Sequence, residues 1–310
     1  MDYKNHVIAV VGPTSSGKSE LAVKIAKAVD GEIISADSRQ IYRGMDIGTG
    51  KVEGSWKAVR LGKLTRKVFV YKKIPHYLID EASPLRQFTV AQFQTKATKI
   101  IDDILSRGKV PIICGGTGHW IDAVVFAQKL PAIKPDTKLR ARIAKMQVEE
   151  MYKQLKKLDP ERAREIDSKN PRRLVRALEI VMSTGKPVPK LKTSSPYNIL
   201  WIGLNPEKQI LERKILKRLK QRINEGMEEE VRRLHASGLS WKKLEAFGLE
   251  YKYCAYLLQG KLTAAEMESQ LFTAIKQYTK RQMTWWKRNP LILWSDDPSK
   301  LLALAKTAHK

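Results

Sequence analysis

Eight consecutive residues near the amino terminus, Gly12-Pro13-Thr14-Ser15-Ser16-Gly17-Lys18-Ser19, have the types and spacing of a loop that holds phosphate. Glycines let the backbone wrap its N–H groups around phosphate oxygens, and the start of a following helix adds partial positive charge. Lys18 would bridge the terminal phosphates. The Ser19 hydroxyl would take one position on Mg²⁺, with water and phosphate oxygens filling the rest. Such a loop specifies phosphate without specifying ATP, because any diphosphate presents the same oxygens. A second stretch, Asp37 to Lys51, is dense in functional side chains. Asp37 is a candidate general base, a carboxylate one water away from a metal, or a cap for the turn through Ser38 and Arg39. Gln40 carries an amide that can pair with the N6/N7 edge of adenine or lie exposed on a helix. Gly48-Thr49-Gly50-Lys51 adds N–H groups and a cation, a weak signal alone.

The elements that must position these residues follow from periodicity. The β-branched run from His6 to Val11 ends at Gly12-Pro13 and reads as a buried strand entering a loop. Leu21, Ala22, Ile25, Ala28 and Val29 recur at helical spacing from about Ser19 to Asp30-Gly31. Glu32 to Ala36 is a second strand that delivers Asp37 at its carboxyl end. Val110 to Cys114 repeats the pattern after a helix from Val90 to Arg107. This alternation predicts an α/β fold with a parallel sheet, whose ligands sit at the carboxyl ends of the strands. Charged, helical, strand-poor sequence from about Asp122, with helices expected at Asp136 to Leu158 and Asn170 to Thr184, reads as a helical insertion. The predicted domains are 1–121 with 192–310 as the core and 122–191 as the insertion. Strands return at Asn198 to Leu204 and Pro290 to Trp294; Gln209 to Arg288 is mostly amphipathic helix, and Ser299 to Lys310 a short one.

Composition narrows the class. The 310 residues carry 58 Lys+Arg against 32 Asp+Glu, a formal net charge of +26, and 43% are hydrophobic. A chain of this kind buries a real core and seeks a polyanion, nucleic acid before an anionic membrane surface. No apolar run is long enough for a membrane span, and neither a signal peptide nor secretion is expected. The two cysteines, Cys114 and Cys254, lack metal-ligand spacing and read as reduced cytosolic thiols.

Two segments concentrate the charge. Between Lys51 and Lys73 there are eight basic residues and one acid, Glu53. Alternation through Val59, Leu61, Leu64, Val68 and Val70 predicts a β-hairpin with a cationic face, either solvated or in contact with an RNA backbone. Lys276 to Arg288 mixes Lys276, Lys280, Arg281, Lys287 and Arg288 with Tyr278, Trp285 and Trp286, and contains no acid. Such interleaving suits RNA, where rings stack on unpaired bases and cations track phosphates. Adjacent tryptophans cannot share one helix face, so one of the pair is expected in the core.

Six motifs in fixed order carry a resemblance: the phosphate loop, Asp37-Ser38-x-Gln40-x-Tyr42-Arg43-Gly44-Met45-Asp46-Ile47-Gly48-Thr49, Pro75-His76-Tyr77-Leu78-Ile79-Asp80, Gly115-Gly116-Thr117-Gly118, Arg173-Leu174-x-Arg176-Ala177-Leu178-Glu179 and Lys280-Arg281-Gln282-x-Thr284-Trp285. Over nearly its whole length the chain resembles bacterial-type tRNA dimethylallyltransferases. The resemblance implies an α/β, P-loop NTPase-like parallel sheet core with a mainly helical insertion domain that contacts tRNA. It implies that N6 of the adenosine 3′-adjacent to the anticodon (tRNA position 37) attacks C1 of dimethylallyl diphosphate and releases diphosphate. Asp37 would be the general base, while residues 12–19, Mg²⁺ held by Ser19, and especially Thr14 and Lys18 would stabilise the leaving group. A base in a stem-loop must be flipped out to reach such a crevice.

The family's further diphosphate-contacting arginine lies in a Leu-x-x-Arg-Ile helix; here Leu211 to Ile215 offers Lys214 at that position and Arg213 beside it. Where the family has Leu-Tyr after Gly-Gly-Thr-Gly, this chain has His119-Trp120, and His119 reads as a packed or solvated side chain. By resemblance, the tRNA-facing residues are Asp37, Ser38, Arg39, Gln40, Thr117, Arg140, Arg172, Arg173, Arg176, Phe247, Gly248, Lys252, Lys276, Lys280, Arg281 and Gln282. The implied partners are the tRNA anticodon stem-loop and dimethylallyl diphosphate, with no membrane, in a cytoplasmic monomer. The alternatives are a phosphotransferase of the nucleoside-kinase kind, which would consume ATP, and a non-catalytic tRNA-binding protein indifferent to replacement of Lys18 or Asp37.

Overall fold

The computed structural model describes residues 5–61, 64–131, 133, 136–190, 192 and 194–309. They form two compact units, Met1–Phe126 with Ser195–Lys310, and Ala127–Ser194. The larger unit is built on β1 (His6–Val11), β2 (Gly31–Ser35), β3 (Ser55–Leu61), β4 (Leu64–Tyr71), β5 (Ile74–Tyr77), β6 (Val110–Gly115), β7 (Asn198–Leu204) and β8 (Leu293–Ser295). They make one sheet in the order β3-β4-β5-β2-β6-β1-β7-β8. From β5 to β8 every pairing is parallel, while β4 runs antiparallel to both β5 and β3.

The central strands are mainly apolar because both faces are covered. Val7, Ala9 and Val11 of β1 point into one cluster with Ile34, Ile113, Phe93 and Ile121. Ile8 and Val10 point into the other with Leu21, Ile25, Ile33, Ile112 and Leu301. Among the helices supplying these faces are α1 (Lys18–Ala28), α2 (Val90–Ser106) and α3 (Gly118–Val125). In the insertion, α4 (Thr137–Ile143), α5 (Val148–Leu158), α6 (Pro160–Glu165) and α7 (Pro171–Thr184) enclose their own core of Ile143, Met151, Leu155, Leu174 and Leu178. The chain returns through α8 (Lys208–Asn224), α9 (Met227–Ala236), α10 (Trp241–Phe247), α11 (Leu249–Leu258), α12 (Ala264–Trp286) and α13 (Pro298–Thr307).

Three expectations change. The helix expected from Asp136 to Leu158 is two, α4 and α5, with Gln147 in extended backbone before α5. Residues 122–126, expected in the insertion, finish α3 and belong to the larger unit, because Ile121, Val124 and Val125 pack into the main core. The basic hairpin is present as β3 and β4, with Gly62 and Lys63 outside the described residues. Its cations do not share a face: register puts Lys57 and Arg66 on one side and Arg60 and Lys67 on the other, and β4 joins the hairpin to the central sheet.

Candidate active site

The phosphate loop leaves β1 at Gly12, whose φ of 149° and close approach to the Leu204 carbonyl exclude any side chain. Ser15 and Gly17 also take positive φ, 61° and 99°, and coil the loop into α1. No side chain caps α1, so its first N–H groups are left to a ligand. The Ser16 hydroxyl is buried without a hydrogen-bond partner, as expected of a donor arranged for an anion. Lys18 lies back along the loop and donates to the Pro13 carbonyl at 3.1 Å. Desolvation lowers its pKa, and the nearby Cys114 and Asp37 offset part of that.

Asp37 follows β2, level with this loop. Its Oδ1 accepts from the N–H groups of Arg39 (2.8 Å) and Gln40 (3.3 Å), a cap on the turn. The other oxygen is the one left for a substrate. The turn is braced from outside: Ser38 N–H donates to Thr117 Oγ1 at 3.2 Å, and Arg39 Nε donates to the Phe247 carbonyl at 2.8 Å with its guanidinium over the Phe247 ring.

Thr14, Lys18, Ser19, Asp37 and Gln40 line one cavity, with Arg218 beside them and Ala22, Ile33, Val52, Ile79, His76 and Cys114 behind. Arg218 is the cation that sequence reasoning missed. Arg213 and Lys214 are exposed on α8 and do not line the cavity; Arg218 lies one turn farther on, where α8 crosses the Thr49-Gly50 turn. It donates to the Gly50 carbonyl at 3.1 Å. Burial, then the neighbouring Arg222, pull its pKa down to about 10. The signal was present as basic residues at 214, 218 and 222 beside the apolar stripe Leu211, Ile215 and Leu219.

Behind Arg218 the 46–51 loop is wound around buried charge. The Glu230 carboxylate accepts from the N–H groups of Asp46 (2.8 Å), Ile47 (2.7 Å) and Gly48 (3.1 Å) and from the Tyr251 hydroxyl (2.8 Å). Arg222 bonds the Gly48 carbonyl and Glu250, and Lys51 reaches Tyr42, Asp46 and Asp80. The Gly-Thr-Gly-Lys segment is thus spent on its own shape. Gln40 is committed in the same way: Ser35 donates to its Oε1, and its Nε2 donates to Thr49 and Gly50 carbonyls. Its amide is therefore neither exposed nor open to an adenine edge.

Gln282 also differs from expectation. It is buried on the inner face of α12, where Oε1 accepts from Thr14 N–H at 2.8 Å and Nε2 donates to the Gly116 carbonyl at 3.0 Å. It ties the phosphate loop to the Gly-Gly-Thr-Gly turn. Lys276 lies against Phe272, and with Lys280 it lines a cleft of about 640 Å³ beside Leu211, Met283 and Trp294. Arg281 is exposed over Tyr278, whose pKa burial and the Asp37 charge raise to about 12. Lys252 lies against Tyr253 and Tyr256, next to Gly248 at φ 79°. Of the paired tryptophans, Trp286 is core and Trp285 is half-buried, bonded to Asp122 and covered by Arg288. His119 packs edge-on against Trp285.

In the smaller unit, Arg172 and Arg173 are exposed at the start of α7. Arg140 forms a two-pronged pair with the buried Glu179, at 2.7 and 2.8 Å, and Arg176 adds a third bond at 2.6 Å. Burial alone would raise the Glu179 pKa; the two arginines and Asp136 N–H overcome it and hold the carboxyl at about 2.

Among the described residues no group of three or more His, Cys, Asp or Glu is placed to hold a metal. The cavity does offer the Ser19 hydroxyl and the Asp37 carboxylate, a sparse oxygen set that fits Mg²⁺ retaining water and phosphate ligands. No described helix is long and apolar enough to cross a membrane.

Known proteins resemble this chain in sequence and fold. The family model described as IPP transferase matches residues 40–289. "tRNA dimethylallyltransferase 2" of Citrifermentans bemidjiense is 38% identical over 283 residues, 91% of this chain and 87% of the relative. The crystal structure of a full-length tRNA isopentenylpyrophosphate transferase from Bacillus halodurans superposes with a TM-score of 0.69 at 32% identity, covering 98% of this chain and 95% of the other. A eukaryotic dimethylallyltransferase acting on tRNA shares the fold, with a TM-score of 0.73 at 24% identity, over 91% of this chain and 70% of that one. With a family model matching most of its length and relatives of more than 30% identity covering nearly all of it, this chain belongs to the IPP transferase family, the tRNA dimethylallyltransferases.

Proposed function

We propose that this enzyme transfers the dimethylallyl group of dimethylallyl diphosphate to N6 of the adenosine 3′-adjacent to the anticodon of tRNA. The observation that carries the reading is the single cavity in which Lys18, Ser19 and Arg218 face the Asp37 carboxylate. The N–H groups of the phosphate loop, Lys18 and Arg218 bind the diphosphate and stabilise the charge it gains as its bond to C1 breaks. Adenine N6 attacks C1, and the proton it sheds passes to the Asp37 oxygen not used in the turn. An amino group conjugated to a purine is a poor nucleophile, so removing its proton as the bond forms is where a carboxylate helps. Mg²⁺, held by Ser19 when bound, supplies further neutralisation of the leaving diphosphate. Ala22, Ile33, Val52 and Ile79 close the cavity with apolar surface suited to a branched hydrocarbon.

The tRNA contacts belong to the same reading: Ser38, Arg39, Thr117 and Phe247 around the entering base, Lys252, Lys276, Lys280 and Arg281 on the backbone, and the insertion through Arg140, Arg172, Arg173 and Arg176. The enzyme works as a cytoplasmic monomer, where its tRNA substrate resides.

The test incubates the folded protein with unmodified tRNA, Mg²⁺ and dimethylallyl diphosphate and weighs the digested nucleosides. A prenyl mass gain on adenosine, unaffected by added ATP, is expected. No gain, or consumption of ATP in its place, overturns the reading.

A further inference from the structure

The register of the β3–β4 hairpin sets its height relative to the active site. Phe69 of β4 pairs with His76 of β5, and His76 pairs with Ile33 of β2, four residues before Asp37. Residues 64–68 of β4 continue past the last β5 partner and pair only with β3. At about 3.3 Å per residue, the hairpin therefore rises roughly 16 Å above the level of Ile33. It rises on the carboxyl edge of the sheet, the edge that carries the phosphate loop, Asp37 and Thr117. Sideways it stands only two to three strand spacings from β2, about 10 to 14 Å.

Its side chains are those of a polyanion contact. Lys57, Arg60, Arg66 and Lys67 are all exposed on this ribbon, and Trp56 is 41% exposed against Phe69. Arg66 makes one loose ion pair, 3.7 Å from Asp103. Cations on both faces of a projecting ribbon suit a curved phosphate backbone better than a flat partner. β3 is also the outermost strand of the sheet. Charges of one sign along it repel a second copy of the same edge, which disfavours self-pairing and favours a partner of opposite charge.

We infer that the β3–β4 hairpin is an additional RNA-binding element that holds the phosphate backbone of the tRNA beside the modified base through Lys57, Arg60, Arg66 and Lys67. This rests on tRNA being the substrate, as proposed above. The contact acts on capture of the tRNA and leaves the chemical step alone, because the hairpin contributes nothing to the cavity that holds Lys18 and Asp37.

The experiment compares two triple variants that remove equal charge: Lys57→Gln, Arg60→Gln, Lys67→Gln on the hairpin, and Lys24→Gln, Lys27→Gln, Lys306→Gln on exposed positions of α1 and α13. Matching thermal melts confirm that both fold. For the hairpin triple, the KM for tRNA should rise about tenfold at moderate salt, while kcat at saturating tRNA and the KM for dimethylallyl diphosphate hold. The slope of log affinity against log salt should flatten by about 2, as three backbone cations imply. The α1/α13 triple should change KM by less than about twofold. Equal effects from both triples, no effect from either, or a change in self-association in place of tRNA affinity overturn the inference. Direct tRNA binding is measured alongside turnover. A wild-type protein that binds tRNA without prenylating it thus defeats the proposed activity while still reading out the hairpin.

Discussion

Asp37 commits one carboxylate oxygen to its own turn and keeps the other for the proposed chemistry, and this division makes the proposed role separable by mutation. Asn keeps an oxygen to accept from Arg39 and Gln40 N–H groups, so Asp37→Asn should fold and bind tRNA within about threefold of wild type. Its turnover under single-turnover conditions should fall by about 10² to 10⁴, the range for a lost general base. A loss of tRNA affinity of matching size would contradict the base role. Arg218 makes a different prediction. It lines the cavity and is anchored through Gly50, so Arg218→Ala removes the cation proposed to meet the leaving diphosphate. It should lower kcat/KM for dimethylallyl diphosphate about 10²-fold, whereas Lys214→Ala, at an exposed position, should leave it within about twofold.

At the scale of elements, α12 does more than present cations. Through Gln282 its buried face holds both the phosphate loop and the Gly116 turn, so Gln282→Leu leaves Thr14 N–H and the Gly116 carbonyl unsatisfied. The expected result is a raised KM for the diphosphate donor with tRNA affinity little changed, measured by steady-state kinetics in each substrate. In the insertion, Glu179 joins α7 to α4 through Arg140 and the Asp136 N–H, while Arg176 pairs with it from the same helix. Its folded pKa of about 2 lies below the ordinary 4.5, so the stability it contributes is fully present above pH 4.5 and is lost as pH falls toward 2. Glu179→Gln should destabilise the insertion by about 1 to 2 kcal/mol at neutral pH, since the arginines left behind reach solvent, and remove that acid dependence, read by limited proteolysis within 127–194 across pH. Arg140, expected to meet tRNA, is thus also a group that holds α4 to α7.

For the whole molecule, a net charge of +26 makes tRNA binding a counterion-release process. Affinity should fall about 10³-fold or more between 50 and 200 mM salt if six or more phosphates are contacted, while the KM for the small donor moves far less, because its charge is met inside the cavity. Parallel salt titrations of the two substrates check this.

The sequence by itself determined the phosphate loop, the parallel strands of the core with Asp37 at the end of the second, and the helical character of the insertion. Each is local: a loop needs glycine and lysine at set spacing, and a strand buried on both faces needs an unbroken apolar run. Which cation completes the cavity was a tertiary decision, since Lys214 and Arg218 look alike along α8 until the helix is packed over Gly50. The same holds for Gln40, Gln282 and the loop around Glu230, whose polar groups pair with residues up to 268 positions away. Periodicity carries no record of such partners. The hairpin was legible from alternation alone, but only its register against β5 raises its charge to the edge where the active site lies.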